Sequence, residues 1–536
     1  MAEHPPQAAN LLDRLIGALS PAAGLARLQA RRQFHAYAGA YKGADVTRDA
    51  LAGWQIARGA PDELLSRDLL TLRRRHADLA RNNPLAAGAM HTKTQGVVGT
   101  GLKYQASIDR DYLRLDDAAA DAWESAAERL FSTWAASKDA HLNRNLNFYE
   151  QQDLSFREVL AGDHFIQLVQ VQGRELPFRL ALNHIAAARV CNPWGQIETA
   201  TFIQGVEKTP EGTPHTYHVA DDYPDARRPH TYTWAAIPVF NSVTNRRVTL
   251  HLYRQLHADQ TRGIPDLAAV MEPLKQLDRY ADAELDAAVK NAMWALLVES
   301  PTGAGLAGEG NVLDWYAGRE RYYDQHPIHM RDSGAHVIRM FPDDKVSSFD
   351  PARPNAAFEP FIQAFYTHLG MGLELPKEVL TKAFQSSYSA ARAALLQAWA
   401  FFQGRRTWLA ANLCDPVLGA FIDEQVAYGR LAAPGYLADP LIRAAYLGAQ
   451  WVGDARGEID ENKAVSAAAD RIALGISTRK RECAALTGED YDQVRRQLDK
   501  EHRMGAPAPQ QKGPMPAQAD QNPDDPAAPP AHGDQP

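Results

Sequence analysis

Residues 260–406 carry a long helical pattern, an excursion and a returning helical pattern, and few folds accommodate that order. The breaker run Gln260-Thr261-Arg262-Gly263-Ile264-Pro265 opens the stretch, and a proline at a first helical position is already set in the helical φ. Apolar residues then recur at Leu267, Val270, Met271, Leu274, Leu277, Ala281, Leu285, Ala288, Ala292 and Leu296, the spacing of one helix face. This predicts a helix to about Ser300, roughly 50 Å long. Asp278, Asp282, Glu284, Asp286 and Lys290 interrupt it, so it is too polar to span a bilayer. Residues 301–354 are rich in Gly, Pro and charge, and residues 356–369 return to helical spacing. The order describes a stalk with something mounted on its tip. Its apolar stripe is narrow, so its expected neighbours are other copies of the same chain.

Composition sets outer bounds. A chain of 536 residues predicts roughly three to four structural units at about 150 residues each. Apolar content of 45% and charged content of 23% are those of an ordinary globular protein. A net charge of -8 excludes an overall basic footprint for wrapping nucleic acid and leaves room for a local one. Cys191, Cys414 and Cys483 are odd in number and far apart, which implies no disulfide frame and a reducing compartment. Met1 to Gln7 show no basic region leading into an apolar core, so no signal peptide is expected, and no membrane span either.

In chain order, residues 10–19 have the pattern of a short amphipathic helix, followed by a loosely patterned segment to Gly59; this is either a docking arm or a frayed terminus. Residues 62–95 read as helix and include Leu72-Arg73-Arg74-Arg75-His76, a solvated face more than a phosphate site, because adjacent helical residues point apart. Residues 96–104 contain glycines without the Lys-Ser/Thr of a phosphate loop and predict a turn into a strand. Residues 116–134 form a helix whose Trp123, Ala127, Leu130, Phe131 and Trp134 anchor a core. From 163 to 254 the period is two, with strands expected over 164–171, 178–182, 200–206, 216–219 and 247–254. The fold class is α+β, a mostly antiparallel sheet packed on helices, with the stalk leaving at Gly263.

Chemistry-bearing constellations are sparse. His326 and His329 flank Pro327, which destroys the helical face that would align them, so no metal site is expected. Asp343-Asp344-Lys345 reads as a turn and 336–340 as a strand. There is no Walker loop, no Gly-x-Ser-x-Gly and no His-Glu-x-x-His, so no enzyme and no cofactor are expected.

Several motifs resemble the portal proteins of tailed double-stranded DNA phages, specifically the lambda-type family. They are Asn82-Asn83 with Gly96 and Val98, the Gln260-Thr261-Arg262-Gly263 run, Ser387-Tyr388-Ser389 with Ala391-Arg392-Ala393, Phe402-Gln403-Gly404-Arg405-Arg406, Trp451-Val452-Gly453, and Leu474-Gly475-Ile476-Ser477-Thr478 with Glu482-Cys483-Ala484. The likeness runs from about residue 30 to 500 in the family's order. It implies a homo-oligomeric ring, usually of twelve copies, at one capsid vertex, in the virion after assembly in the host cytoplasm, from a free phage or a prophage. Double-stranded DNA would pass through its channel without sequence specificity. The implied partners are the terminase large subunit, the major capsid protein and a head-tail adaptor, with no membrane.

The implied segments are an N-terminal arm (1–60), a wing (61–262), stem helices (263–299 and 356–372), a clip (300–355), a tunnel loop (373–388), a long helix returning to the wing (389–439), a crown (440–504) and a disordered tail (505–536). A conduit must hold DNA loosely, since many phosphate contacts would stall it. The stem acids Asp278, Asp282, Glu284 and Asp286 are therefore candidates for a repulsive channel wall, or an ordinary solvated face. Lys377, Lys382 and Gln385 on the loop are candidates for a few phosphate contacts per subunit. Residues 386–389 could form a hinge with Ser389 as N-cap. Asp460, Ser477 and Asp490 would open crown helices and Gly475 would close one. Arg479, Lys480, Arg481, Arg495 and Arg496 make that end basic, facing DNA or forming a salt-laced surface. The rival reading is a minor head or head-tail adaptor ring protein without enzymatic activity; length and the stalk-insert-stalk order speak against it.

Overall fold

The computed structural model describes residues 20–23, 26, 59–224, 232–292, 296–299, 312–325, 345–348, 358–384, 387–455, 457 and 461–504. The chain divides into two compact units, Met1–Asp68 and Leu69–Pro536. In the first, Arg67 and Glu63 form an ion pair one helical turn apart. The expected helix over 10–19 and the tail 505–536 lie outside the described residues.

Where one helix is expected over 62–95, two are observed: α1 (Pro61–Asn82) and α2 (Pro84–Val97). Pro84 removes a backbone donor and restricts the residue before it. Asn83 is extended (φ −104°, ψ 116°) and caps α2, its side chain accepting from the Ala86 N–H at 2.8 Å. Strand β1 (Lys103–Ala106) follows the glycine turn as expected and pairs antiparallel with residues Ala449–Val452. Helix α3 (Asp117–Ala136) buries Trp123, Ala127, Phe131 and Trp134, four of the five anchors its spacing predicts, while Leu130 is half-buried. Helix α4 (Phe148–Leu160) opens on a capping box of Asn147 and Glu150.

The strands are antiparallel throughout the next region. Strand β2 (Asp163–Gln170) lies between β3 (Leu180–Ile185) and a later strand, Thr249–Tyr253. The run expected over 200–206 is split at Gln204 and Gly205, both at positive φ, into β4 (Phe202–Ile203) and β5 (Val206–Lys208). These join β6 (Pro214–Ala220) and β7 (Trp234–Pro238) in a four-stranded sheet of order β4-β5-β6-β7. Sequence reading missed β7, whose largely exposed residues show no alternation. The Thr249–Tyr253 strand is β8. Period two does its work along β2. Ile166 points into the main core with Phe131, Trp134 and Phe148, while Phe165 points into a smaller core with Ile185, Val206, Tyr217 and Val219. The three-stranded sheet thus has helices on one face and the second sheet on the other.

The helix expected to run through 263–299 is shorter. Helix α5 spans Met271–Ala292 after a 3-10 turn at Ala268–Val270, about 33 Å of helix. Pro273 sits in its first turn, where the missing N–H leaves no helical bond unmade. Leu296–Glu299 is strand β9, so apolar spacing overran the helix; an apolar stretch of that length reads equally well as strand. Helix α6 (Val312–Gln325) lies within the excursion, and β10 (Lys345–Ser348) pairs antiparallel with β9, Lys345 opposite Glu299 and Ser348 opposite Leu296. Lys345 is therefore a strand residue, not part of a turn. His326, His329, residues 336–340, Asp343 and Asp344 fall outside the described residues.

The returning helix α7 is Phe358–Gly372. A short helix α8 (Lys377–Thr381) follows where a loop is expected. Helix α9 (Tyr388–Leu409) is capped by Ser387, two residues ahead of the expected Ser389. It runs through a π turn at Ala410–Cys414 into α10 (Asp415–Ala427). Helix α11 (Pro440–Tyr446) and β11 (Ala449–Val452) lead to α12 (Glu461–Ala473), α13 (Arg479–Thr487) and α14 (Tyr491–Arg503). Gly475 lies beyond the end of α12 at φ 72° and Asp490 caps α14, as expected. The cap of α13 is Thr478 in place of Ser477, and Asp460 lies outside the described residues.

Candidate functional site: arginine joints at the root of the excursion

Each residue of Gln260-Thr261-Arg262-Gly263 makes a specific contact. Arg262 is among the largest fully buried side chains. Its Nε donates to Asp163 Oδ2 at 2.6 Å, its Nη1 to the carbonyls of Val190 (2.9 Å) and Gln204 (2.5 Å), and its Nη2 to that of Ala187 (2.9 Å). The guanidinium also lies 5.1 Å from the Phe165 ring centroid. Asp163 pairs with Arg73 and accepts from His251 Nε2–H at 3.0 Å and from the Gly263 N–H at 3.3 Å. Burial alone would raise the Asp163 carboxyl, but Arg262, Arg73 and His251 outweigh it and hold the group well below its ordinary range. Burial pushes Arg73 down to about 10 against the pull of Asp163. Arg73 is thus a joint residue and does not belong to the solvated face expected of the 73–75 cluster, whereas Arg75 is exposed.

The neighbouring side chains close the joint. Gln260 accepts from the N–H groups of Leu256 and His257 at 2.8 and 3.1 Å and donates to the Arg262 carbonyl at 2.7 Å. Thr261 Oγ1 accepts from Lys208 Nζ at 2.8 Å. A Cβ on Gly263 would stand 1.9 Å from the Gly162 carbonyl oxygen, so nothing larger fits.

A second joint gathers Gly96, the Phe402–Arg406 run and the Trp451–Gly453 run. Arg406 Nε donates to the Val97 carbonyl at 3.0 Å, Nη1 to that of Asp454 at 3.2 Å and Nη2 to that of Gly96 at 3.3 Å. A Cβ on Gly96 would meet the Phe402 ring at 2.6 Å. Trp451 Nε1 donates to Asp415 Oδ1 at 2.7 Å, and its ring is 5.7 Å from that of Phe131. Next to it, Arg405 stands 3.8 Å from Asp266 and 3.9 Å from Glu374. Lys93 also pairs with Asp266, and Arg254 donates to both oxygens of Glu374 at 3.1 and 3.3 Å.

The expected channel residues are not brought together. Asp278 accepts from Asn83 Nδ2 at 2.7 Å, which ties α5 to the cap of α2; it is a structural contact, not a free wall charge. Asp282 and Asp286 are exposed and share its face at four-residue spacing. Glu284 is half-buried, engaged elsewhere, and lies on another face. Lys275 and Arg279 interleave with the aspartates, so that face carries both signs. Lys377 is the first residue of α8 and half-buried. Lys382 is exposed in the left-handed conformation at φ 57°. Gln385 and Ser386 lie outside the described residues. At the basic end, Lys480 pairs with Asp492 at 3.1 Å and Arg495 donates to the Tyr491 hydroxyl at 3.3 Å, the salt-laced alternative.

Histidines form a buried chain beside the first joint. His184 lies 2.8 Å from Gln151 Oε1 through Nε2 and 2.8 Å from His164 Nε2 through Nδ1. A carboxamide oxygen only accepts, so His184 donates from Nε2 and accepts at Nδ1, and His164 donates from Nε2. His164 Nδ1 is left buried without a hydrogen bond. Burial, ahead of any charge, pushes His164 to about 3 and His251 to about 4 and holds His184 well below its ordinary value. Among the described residues no group of three or more His, Cys, Asp or Glu could hold a metal ion, and no helix is long and apolar enough to cross a membrane.

Sequence reading singled out these motifs but not their joint. Asp163 and Arg262 are 99 residues apart, and a lone aspartate at the start of a strand gives no sign of its partner.

Comparison with known proteins agrees with the motifs. The family model described as phage portal protein, lambda family, matches residues 47–406. The portal protein of Escherichia phage N15 and portal protein B of Escherichia phage lambda are each 25% identical over 477 residues, covering 85% of this chain and 88% of theirs. Among solved structures, a chain from the virion of a native gene transfer agent particle is 14% identical, covering 70% of this chain and 92% of its own with a TM-score of 0.39. A chain from the neck of the native particle, computed with C12 symmetry, is 12% identical, covering 78% and 94% with a TM-score of 0.39. The matched family span begins ahead of α1 and ends at Arg406, taking in Asp163, Arg262 and Arg405, and the chain belongs to the lambda family of phage portal proteins.

Proposed function

We propose that copies of this chain close into a ring, twelve by the family's usual count, at one capsid vertex, and that double-stranded DNA passes through its bore during packaging and ejection. As a lambda-family portal protein the chain is a structural, non-enzymatic component of the phage virion. The observation that carries the ring reading is the family match over 47–406. In this reading 61–262 is the wing, α5 and α7 are stem helices, 300–355 is the clip, and 440–504 is the crown. The clip would be gripped by the terminase large subunit and later by a head-tail adaptor, and the wing would meet the major capsid protein. Assembly would take place in the host cytoplasm. The mass of the native assembly, with images of the particles, tests this directly. A closed ring with an axial hole is the expected result; a monomer or dimer that persists across salt and protein concentration would overturn it.

The loop 373–388 would border the bore. The exposed Lys382 would meet phosphate most directly, with Lys377 and Gln385 beside it, while Asp282 and Asp286 would keep the duplex off the wall. Weak contacts of this kind suit a conduit, because each neutralised phosphate adds to the hold on DNA. Reversing both lysines, K377E/K382E, should leave ring mass unchanged and lower packaged genomes on the order of tenfold, through repulsion of phosphate. Unchanged genome content per particle would remove the lysines from the bore.

A further inference from the structure

Asp266 and Glu374 stand at the two ends of the excursion, Asp266 ahead of α5 and Glu374 just past α7. Arg405 of α9 is the group common to both, at 3.8 and 3.9 Å. Its side chain is 13% exposed and its guanidinium lies 5.4 Å from the Phe401 ring centroid, so solvent screens its field only weakly. Among the described residues, Lys93 of α2 forms an ion pair with Asp266 alone and Arg254 with Glu374 alone. Three cations therefore address two carboxylates, and removing Arg405 would uncouple the two pairs without leaving either acid bare.

What Glu374 leads into makes this coupling consequential. Glu374 holds a left-handed φ of 56°. Immediately after it, the Leu375 N–H donates to the Gly370 carbonyl at 2.9 Å, and Leu373, Leu375, Val379 and Leu380 are buried. The segment is thus anchored as far as α8, and its exposed tip starts at Lys382. A shift at Glu374 would be carried to that tip by a buried, hydrogen-bonded lever.

We propose that Arg405 is a positioning residue for DNA passage: it ties both roots of the excursion to α9 and so fixes how far the Lys382 tip stands into the bore. The proposal rests on the reading of 373–388 as a bore-lining loop. Pairs at 3.8 and 3.9 Å are longer than hydrogen bonds, so the guanidinium couples the two acids through its charge, and a lysine that keeps the charge should preserve most of the tie.

The test uses phage carrying the full-length chain as E374Q, R405E, R405K or K382E, read by ring mass and by the fraction of filled heads that keep their genome. E374Q and R405E should give rings of parental mass and a several-fold loss of retained genomes, and R405K, which keeps the charge, should lose less than half as much as R405E. Parental retention in both E374Q and R405E would overturn the tie, as would an R405K no better than R405E. If R405E fails to form rings, E374Q decides, since Glu374 is 41% exposed and its amide keeps the side chain's size. K382E separates the two ideas: retention lost in K382E but not in E374Q or R405E rejects the tie alone, and retention kept in all of them rejects the bore-lining loop.

Discussion

Replacing Arg262 with Met should destabilise the folded chain by about 3–5 kcal/mol, because it breaks one partner out of a buried ion pair. Asp163 keeps Arg73 and His251 but loses the guanidinium that approaches it at 2.6 Å. The carbonyls of Val190, Gln204 and Ala187 lose their donor as well, and a buried acceptor without a donor is itself costly. Lysine is no remedy, since one ammonium cannot reproduce the planar fork that spans four acceptors. The midpoint of denaturant unfolding, compared at equal protein concentration with Arg75→Met on the exposed face of α1, measures the effect. Equal midpoints for the two variants would mean that the joint carries no stability.

Stability should also fall steeply as pH drops from about 6.5 toward 4.5. His164, His251 and His76 are held at about 3, 4 and 4 in the folded chain, in each case chiefly by burial, against about 6.5 when unfolded. Between these values the unfolded chain binds protons that the folded chain refuses. Their contribution is therefore complete above pH 6.5 and is lost as pH falls toward the folded values. Three such groups give a slope of about 4 kcal/mol per pH unit between about pH 5.5 and 4.5. Asp163 acts in the same direction at more acid pH: its lowered pKa stabilises the fold above the ordinary carboxyl value, and that contribution is lost only below it. The chain from Gln151 to His164 sharpens the acid limit, since a proton on His184 Nδ1 would face the N–H of His164. Unfolding midpoints measured across pH 7 to 4.5 check this, and a flat profile would mean that these histidines are not buried neutral.

How much of this was legible before the structure follows from the range of each interaction. The helix carrying Trp123, Phe131 and Trp134 and the alternation of strand β2 were readable because their signals repeat within a few residues. Helix ends were less so. Pro84 split one expected helix, and Leu296 continued a helical spacing although its residue belongs to β9. Ser387, Ser389, Ser477 and Thr478 can each cap a helix by chemistry, and only the path of the chain selects Ser387 and Thr478. The candidate site was the least legible. Asp278 reads as a surface acid until Asn83, distant in sequence, is seen to donate to it, and Arg73 looks like its two neighbours until Asp163 is found beneath it. Several of the motifs that carried the family resemblance, those at Gly96, Gln260–Gly263, Phe402–Arg406 and Trp451–Gly453, proved to be the material of the joints, so their recurrence in order was a better guide than any one residue's chemistry.

The pairing of β9 with β10 has a bearing on how such a protein can be altered. Two antiparallel strands bring the chain ends that flank residues 300–344 to neighbouring positions, Glu299 opposite Lys345, about 5 Å apart. Any module whose own termini lie side by side could be spliced at that point without changing the path of α5 or α7, and lengthening what lies between costs little closure entropy. The clasp makes this position a natural graft point, at which the residues between the two strands could be replaced while the packing of the rest of the chain is kept.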